Sequence, residues 1–162
     1  MPRDDRPKYA LDPVREVRAA AERSAREALA RAVEAREAAT RSRRSAEAER
    51  EDADRRATAA RAGEQALLAS GALSVADLGR HDAWEAGVRE ARAADDERIV
   101  QLSAREVEAS HVENLRRSEL GDRMRALELV EKDKERWEDA RRRRREAADE
   151  AEGADAWRPK RA

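Results

Sequence analysis

Small apolar residues recur through the first half of the chain at alternating steps of four and three. This is the spacing of positions a and d in a coiled coil, and it places the residues on one face of an α-helix. The predicted seam consists of Ala21, Ala25, Ala28, Ala32, Ala35, Ala39, Ser42 and Ala46. Because every member is small, the pattern predicts a long helix against which a second helix can pack closely.

Capping residues and prolines set the limits of this first helix. Asp12 is a favourable N-cap residue, and Pro13 fits the first helical position. No further proline follows until Pro159, and strong helix formers fill the interval. We therefore predict one helix over about residues 12–69, preceded by a flexible leader over residues 1–10.

The pattern breaks near residue 70, where the chain is predicted to turn. Gly71 suits the left-handed position that often follows a helix. Ser74 and Asp77 resemble a capping box in which Asp replaces Glu. Two glycines soon afterwards weaken the next turns, so residues 74–82 are expected to form either a short separate helix or an irregular tip.

Larger and less regular apolar residues mark a second predicted helix, over about residues 83–152. They are Trp84, Val88, Ala91, Ile99, Leu102, Ala109, Val112, Leu115, Leu120, Met124, Leu127, Val130 and Trp137. The two helices can pack closely if the small residues of the first face the larger residues of the second. The predicted fold class is all-α, a long two-helix antiparallel coiled-coil hairpin over residues 11–152 with a flexible tail over 153–162. At about 1.5 Å per residue, such a hairpin would be about 90–100 Å long.

Composition changes this picture little. Charged residues make up 45% of the chain and aromatic residues 2%, so a thick apolar core is excluded. High charge with few aromatics is also typical of disordered chains. The abundance of Ala, Arg and Glu favours long helices instead.

The charge balance and the missing residue types exclude several functions. The 36 basic and 37 acidic residues give a net charge of -1, which argues against nucleic-acid binding. The absence of cysteine excludes disulfides, thiol chemistry and Cys-based zinc sites. No apolar run is long enough to span a membrane, and the N-terminus lacks a secretory segment. We therefore expect a cytoplasmic protein without membrane insertion.

No pattern in the sequence indicates catalysis. The two histidines, His81 and His111, lack a matching cluster of ligands and are expected to be surface residues. The glycines are isolated, so no phosphate-binding loop is present, and two paired helices offer no pocket that excludes water. We expect no enzyme activity, no cofactor and no metal.

Two features have both a structural and a functional interpretation. The run Arg141–Arg145 is preceded and followed by acidic residues, which favours a charge-compensated solvent face over contact with an acidic partner or with nucleic acid. Trp84 and Trp137 either pack across the hairpin or anchor partner surfaces, where Trp is enriched. Trp157 in the tail is expected to be exposed or to dock.

Four segments carry a resemblance to a known family. They are Tyr9-Ala-Leu-Asp-Pro-Val14, Ser70-Gly-Ala-Leu-Ser-Val-Ala-Asp-Leu78, Trp84-x-x-x-Val88-x-x-Ala91, and the charged ending from Glu131 to Glu150. Together with size and hairpin layout, they make the chain similar to the central-stalk proteins of flagellar and type III secretion export (FliJ/YscO-like family). The resemblance covers most of the chain.

The resemblance implies a non-catalytic stalk that inserts into the hexameric export ATPase and links it to the cytosolic domain of the export gate. Secretion chaperones are further implied partners, and the free protein is expected to be monomeric and peripheral to an inner-membrane apparatus. The implied gate contacts are Trp84, Val88 and Ala91. The implied ATPase-facing residues are Leu11, Val14, Arg15, Arg18, Trp137, Arg141, Arg142 and Arg145.

Other functions stay open from the sequence. A generic structural coiled-coil tether or a dimerisation protein would have the same periodicity, and the flagellar stalk would have the same layout as the injectisome stalk. The Gly-Ala-Leu-Ser-Val-Ala-Asp-Leu segment favours the injectisome branch. Asp95, the next seam position after Ala91, is more acidic than the resemblance implies.

Overall fold

The computed structural model describes residues 8–72 and 74–156. Within these ranges it contains two helices and no strand: α1 (Asp12–Ala69) and α2 (Val75–Ala156). The helices pack against each other, which confirms the predicted all-α helical hairpin. The predictions for leader residues 1–7 and for Trp157 lie outside the described residues.

The chain divides into two compact units. The terminal unit joins the start of α1, as far as Leu29, to α2 from Arg116 onward, and the bend unit comprises Ala30–Leu115. In the bend unit, Arg36 contacts Glu113 and Arg61 contacts Glu85. Residues later in α1 therefore contact residues earlier in α2. The two helices of this unit are therefore antiparallel.

The helices of the terminal unit are also antiparallel. Tyr9 hydrogen-bonds Asp133, and Arg18 donates to the backbone carbonyl of Ala126. Here too the partner number on α2 falls as the position along α1 advances.

The first turn of α1 differs from the predicted capping arrangement. The Leu11 carbonyl accepts the first helical hydrogen bond, from the Arg15 amide at 2.9 Å. Asp12 is the first residue of the helix, and its carboxylate instead accepts from Lys134 Nζ at 2.9 Å. The hydrogen bond from this ammonium group is the main cause of a lowered Asp12 pKa. A charged partner on α2 thus replaces the amide that an N-cap would bind.

The end of α1 follows the predicted glycine cap. Gly71 has a φ of 71°, the left-handed conformation that costs glycine little. The Ala72 amide donates to the Leu67 carbonyl at 3.1 Å, and the Gly71 amide donates to the Leu68 carbonyl at 3.0 Å. This pair of bonds is a Schellman motif, and it satisfies two of the carbonyls left free at the helix end.

The predicted capping box starts α2 earlier than the sequence suggested. The Ser74 amide donates to Asp77 Oδ2 at 2.8 Å, and the Asp77 amide lies 3.4 Å from Ser74 Oγ. Hydrogen bonds from Ser74 are the largest causes that lower the Asp77 pKa to about 2. With its first turn satisfied, α2 runs unbroken from Val75, so the prediction of a tip over residues 70–82 and of a helix beginning near 83 was wrong.

The end of α2 also lies beyond its predicted limit. The helix continues through Gly153 to Ala156 instead of ending at residue 152. A glycine inside a helix costs about 1 kcal/mol relative to alanine. The neighbouring Ala and Glu residues are good helix formers, so one glycine does not stop the helix.

The contact between the helices contains little apolar material. The buried apolar residues of the described chain are Tyr9, Ala32, Ala46, Ala57 and Val130, and no large side chain is fully buried. The predicted seam is correct at Ala32 and Ala46 but wrong at Ala35 and Ser42, which are exposed.

Arginines occupy the contact positions that the predicted seam left out. Arg36, Arg43 and Arg50 lie seven residues apart and are half-buried. Arg43 Nε donates to Glu106 at 2.5 Å, and Arg36 Nε donates to Glu113 at 2.6 Å. We call these three residues the arginine ladder. Their aliphatic stems can cover the neighbouring alanines while their guanidinium groups reach acids on α2.

Candidate functional site

A concave surface of the bend unit lies beside the turn. This bend cleft has a volume of about 510 Å³, and its apolar wall comprises Leu67, Leu68, Leu78 and Trp84. The three leucines are 44–51% exposed, and Trp84 is half-buried. The turn thus presents apolar side chains that neither helix covers.

An ion pair fixes the Trp84 side of the bend cleft. Arg61 reaches Glu85 with two hydrogen bonds, of 2.6 and 2.9 Å, the bidentate geometry that guanidinium and carboxylate favour. The Arg61 guanidinium carbon lies 5.8 Å from the Trp84 ring centroid. The hydrogen bond from Arg61 lowers the Glu85 pKa. The indole is therefore held under a fixed positive charge.

A histidine next to Trp84 also lines the bend cleft. The His81 ring centroid is 6.0 Å from that of Trp84, and His81 Nδ1 contacts the Glu64 carboxylate. Neither atom of this contact has another hydrogen-bond partner. Around this cleft Arg61 is paired with Glu85 and His81 contacts Glu64, and the apolar wall is the part available to a partner.

The three predicted gate contacts lie together. Trp84, Val88 and Ala91 line a second cleft of about 320 Å³ on the same face of α2, and Asp95 also lines it. Trp84 and Val88 are half-buried and Ala91 is exposed. Trp84 therefore belongs partly to the packing between the helices and partly to an open surface.

In the terminal unit, an aromatic pair joins the two helices. The ring centroids of Tyr9 and Trp137 are 5.6 Å apart, and Tyr9 OH donates to Asp133 at 2.5 Å. Burial, followed by the interaction with Asp133, raises the Tyr9 pKa to about 12. The Arg141 guanidinium carbon lies 5.4 Å from the Trp137 centroid, within cation–π range.

The predicted ATPase-facing residues are in two different environments. Arg18 donates to the Ala126 carbonyl at 2.6 Å, so it contributes to helix packing. Leu11 and Val14 are about 40% exposed and available for contact. Arg15 lies 3.4 Å from the Asp12 carboxylate.

The arginine run is partly neutralised along its own helix. Arg142 donates to Asp139 at 2.6 Å, one turn earlier. Arg141, Arg142 and Arg145 line a shallow cleft that also contains acidic residues. The surface carries charges of both signs, which agrees with the predicted charge-compensated solvent face.

Sequence reasoning missed several residues that organise these surfaces. Arg61 and Glu64 fall outside the apolar pattern, and only the fold brings them beside Trp84. The arginine ladder did carry a signal, since its seven-residue spacing is visible in the sequence. That signal was overlooked because arginine is counted as polar when apolar seams are sought.

The described residues include no group of three or more His, Asp or Glu side chains placed to hold a metal ion. Of the two helices, neither has a stretch that combines the length and apolarity needed to cross a membrane. Comparisons with protein-family models, curated proteins and solved structures find no match to this chain.

Proposed function

We propose that this chain is a non-catalytic helical hairpin that binds other proteins, acting as the central stalk of a type III secretion export apparatus. The observation that carries the protein-binding role is the distribution of large apolar side chains. Leu67, Leu68 and Val75 near the turn, and Leu11 and Val14 near the start of α1, are all at least 39% exposed. A chain that leaves such residues outside while burying mainly alanines is suited to partner contact.

The bend unit is the proposed contact for the export gate. Its surface combines a tryptophan held under Arg61 with uncovered leucines. Trp and Arg are the residue types that contribute most often to binding energy at interfaces. Because the ion pairs around the bend cleft are already formed, a partner can bury the apolar wall with little reordering of side chains.

The terminal unit is the proposed contact for the ATPase ring. It offers the exposed Leu11, just before α1, the exposed Val14 on α1 and the arginine run on α2. A stalk of this kind would not hydrolyse ATP. It would bias the ring by binding its alternative states with different affinities, since a ligand shifts an equilibrium only through such a difference.

The ATPase role is tested by adding the protein to the export ATPase of the same genome and measuring hexamer formation and hydrolysis rate. We expect both to increase, and Arg142→Ala to weaken the effect. Arg125→Ala is the matched control, because Arg125 also lies on α2 and pairs with an acid three residues earlier. If the protein changes neither hexamer formation nor rate, the stalk role fails and a structural tether remains.

The gate role is tested by measuring binding of the purified protein to the cytosolic gate domain. We expect Trp84→Ala and Val88→Ser to weaken binding by at least roughly tenfold, as for a residue that dominates an interface. Val112→Ser, another partly exposed valine of α2, should bind as the wild type does. Circular dichroism checks that helicity is kept, and unchanged binding by Trp84→Ala would reject this contact.

A further inference from the structure

A second uncovered apolar surface runs along α2 within the bend unit. Val100 and Val107 are seven residues apart and 68% and 71% exposed, and Leu115 is 52% exposed. Ala93, seven residues before Val100, and Ala104, between the two valines, are also exposed on this face. We call these five residues the α2 stripe. Seven-residue spacing places Val100 and Val107 on one face of the helix, as in a coiled-coil contact.

The α2 stripe faces away from α1. The residues of α2 that contact α1 in this region include Glu106 and Glu113, which bind the arginine ladder, and the half-buried Leu102 and Ala109. At about 100° per residue, Leu102 and Ala109 lie about 140–160° around the helix from Val107, and Glu106 and Glu113 lie about 100–120° from it in the same direction. The residues that the structure describes therefore give the α2 stripe no partner within the chain.

The charges beside the α2 stripe are acidic. Glu97 and Glu108 are exposed on one side of it, and Gln101 donates to Glu97 at 3.3 Å. The two arginines of the same stretch are directed elsewhere: Arg98 donates to Glu49 on α1, and Arg105 lines a cleft with Ser42. A helix that packed on the stripe would meet negative charge at its flank.

We propose that the α2 stripe docks an amphipathic helix of another protein, with apolar residues at seven-residue spacing and Lys or Arg at the flanking positions. The seven-residue spacing of Val100 and Val107 requires the same apolar spacing in the ligand. The negative charges of Glu97 and Glu108 favour positively charged residues beside the apolar face of the ligand. A second copy of the chain fits poorly, because antiparallel pairing would set this acidic flank against itself. This docking is independent of the proposed gate and ATPase contacts.

The proposal is tested with two synthetic helical peptides of about four heptads, a length sufficient for stable helicity. Both carry leucine at the a and d positions, one has lysine and the other glutamate at the flanks, and binding to the full chain is followed by fluorescence anisotropy. We expect the lysine peptide to bind at least roughly tenfold more tightly. Raising the salt concentration should reduce this difference.

Matched variants locate the binding site. Replacing both Val100 and Val107 with serine should weaken binding of the lysine peptide by roughly tenfold or more, from the apolar area lost. Val17→Ser is the control, because Val17 is 69% exposed on α1. The charge variant Glu97→Lys with Glu108→Lys should reverse the preference toward the glutamate peptide without removing apolar surface.

Three results would overturn the proposal. One is equal binding of the two peptides to the wild type, and another is a charge variant that keeps the original preference. The third is a wild-type dimer, seen by light scattering, that the double serine variant dissociates, because the stripe would then be occupied by a second copy.

Discussion

Tyr9 is the most deeply buried aromatic side chain of the described residues, at 6% exposure, and it lies just before α1. Its ring packs on Trp137 and its hydroxyl binds Asp133, so one residue fastens the start of α1 to α2. The sequence predicted a flexible leader over residues 1–10, which includes Tyr9, and placed Tyr9 in a family-like segment, whereas the structure packs it against α2. Its role as a fastener depends on which α2 residues face it, which no local pattern reveals.

The raised pKa of Tyr9 gives a prediction in alkaline solution. Because the folded pKa is about 12 and the ordinary value is 10.0, the protonated phenol contributes stability that is complete below pH 10. That contribution is lost as the pH rises from about 10 through 12. Tyr9 is the chain's single tyrosine, so tyrosinate absorbance reports this residue alone.

We expect a titration midpoint near 12 in the folded protein and near 10 in the urea-unfolded chain. Asp133→Asn should lower the folded midpoint, because it removes the charge and the hydrogen bond of the carboxylate. A folded wild-type midpoint near 10 would contradict the buried Tyr9–Asp133 contact.

Ala46 gives a second prediction at the scale of one residue, because at 3% exposure it is the most deeply buried of the described residues. A larger side chain there must push the helices apart, so Ala46→Leu should destabilise the protein by about 1–3 kcal/mol. Ala48 is exposed on the same helix, and Ala48→Leu should change stability by no more than about 0.5 kcal/mol. Urea unfolding followed by circular dichroism measures both, and equal effects would reject the packing at Ala46.

At the scale of the helices, the caps at the turn were easier to predict than the contact between the helices. Gly71, Ser74 and Asp77 form the caps that their residue types indicate, because capping depends on neighbours in sequence. The seam depends on how two helices are rotated against each other. A rotation that buries Ala46 and exposes Ser42 cannot be read from one helix alone.

The arginine ladder explains why the apolar pattern was an incomplete guide. Arg43 donates to Glu106 on α2 and to Glu47 on its own helix, and both bonds raise its pKa. The Glu106 pKa is correspondingly lowered, first by Thr40 and then by Arg43. Contact positions filled by paired charges are read as solvent-facing in any search for apolar residues.

Charge reversal tests whether the ladder sets the pairing of the helices. Arg43→Glu should lower the melting temperature by several degrees, because it places an acid against Glu106 and Glu47. Adding Glu106→Arg should restore most of the loss. Arg41→Glu is the exposed control, with a side chain 72% accessible, and should have a small effect. If the double variant melts no higher than Arg43→Glu alone, the two residues do not pair across the helices.

At the scale of the whole chain, the sequence predicted the hairpin because the helix-forming composition and the coiled-coil spacing of the apolar residues are compatible with few other folds. The family resemblance also grouped Trp84, Val88 and Ala91, and all three line one cleft because they are spaced at helical intervals on α2. The rest of the bend cleft could not be predicted, since Arg61 and Leu67 come from α1 and join it only through antiparallel pairing. Residues that lie together on one helix can be predicted from their spacing in the sequence. Predicting which residues of two helices lie together requires the register in which the helices pair.

The balance between paired charges and buried apolar residues leads to a prediction for the whole molecule. The buried apolar residues of the described chain are mainly alanines, while ion pairs cross between the helices, among them Arg43–Glu106, whose side chains are 24% and 23% exposed. Salt screens such pairs, with a Debye length of about 10 Å at 0.1 M and about 3 Å at 1 M. With a net charge of -1, the chain has little overall repulsion for salt to relieve.

The melting temperature should therefore fall by several degrees as sodium chloride rises from low concentration to about 0.5 M, a range over which the screening length shortens severalfold. A hairpin held mainly by its apolar contact would keep or raise its melting temperature, because screening leaves apolar burial in place. Replacing Arg43 and Glu106 with glutamine removes one cross-helix pair and should flatten the salt dependence. An unchanged slope in that variant would mean that this pair contributes nothing to stability, and the alanines would then have to hold the helices together.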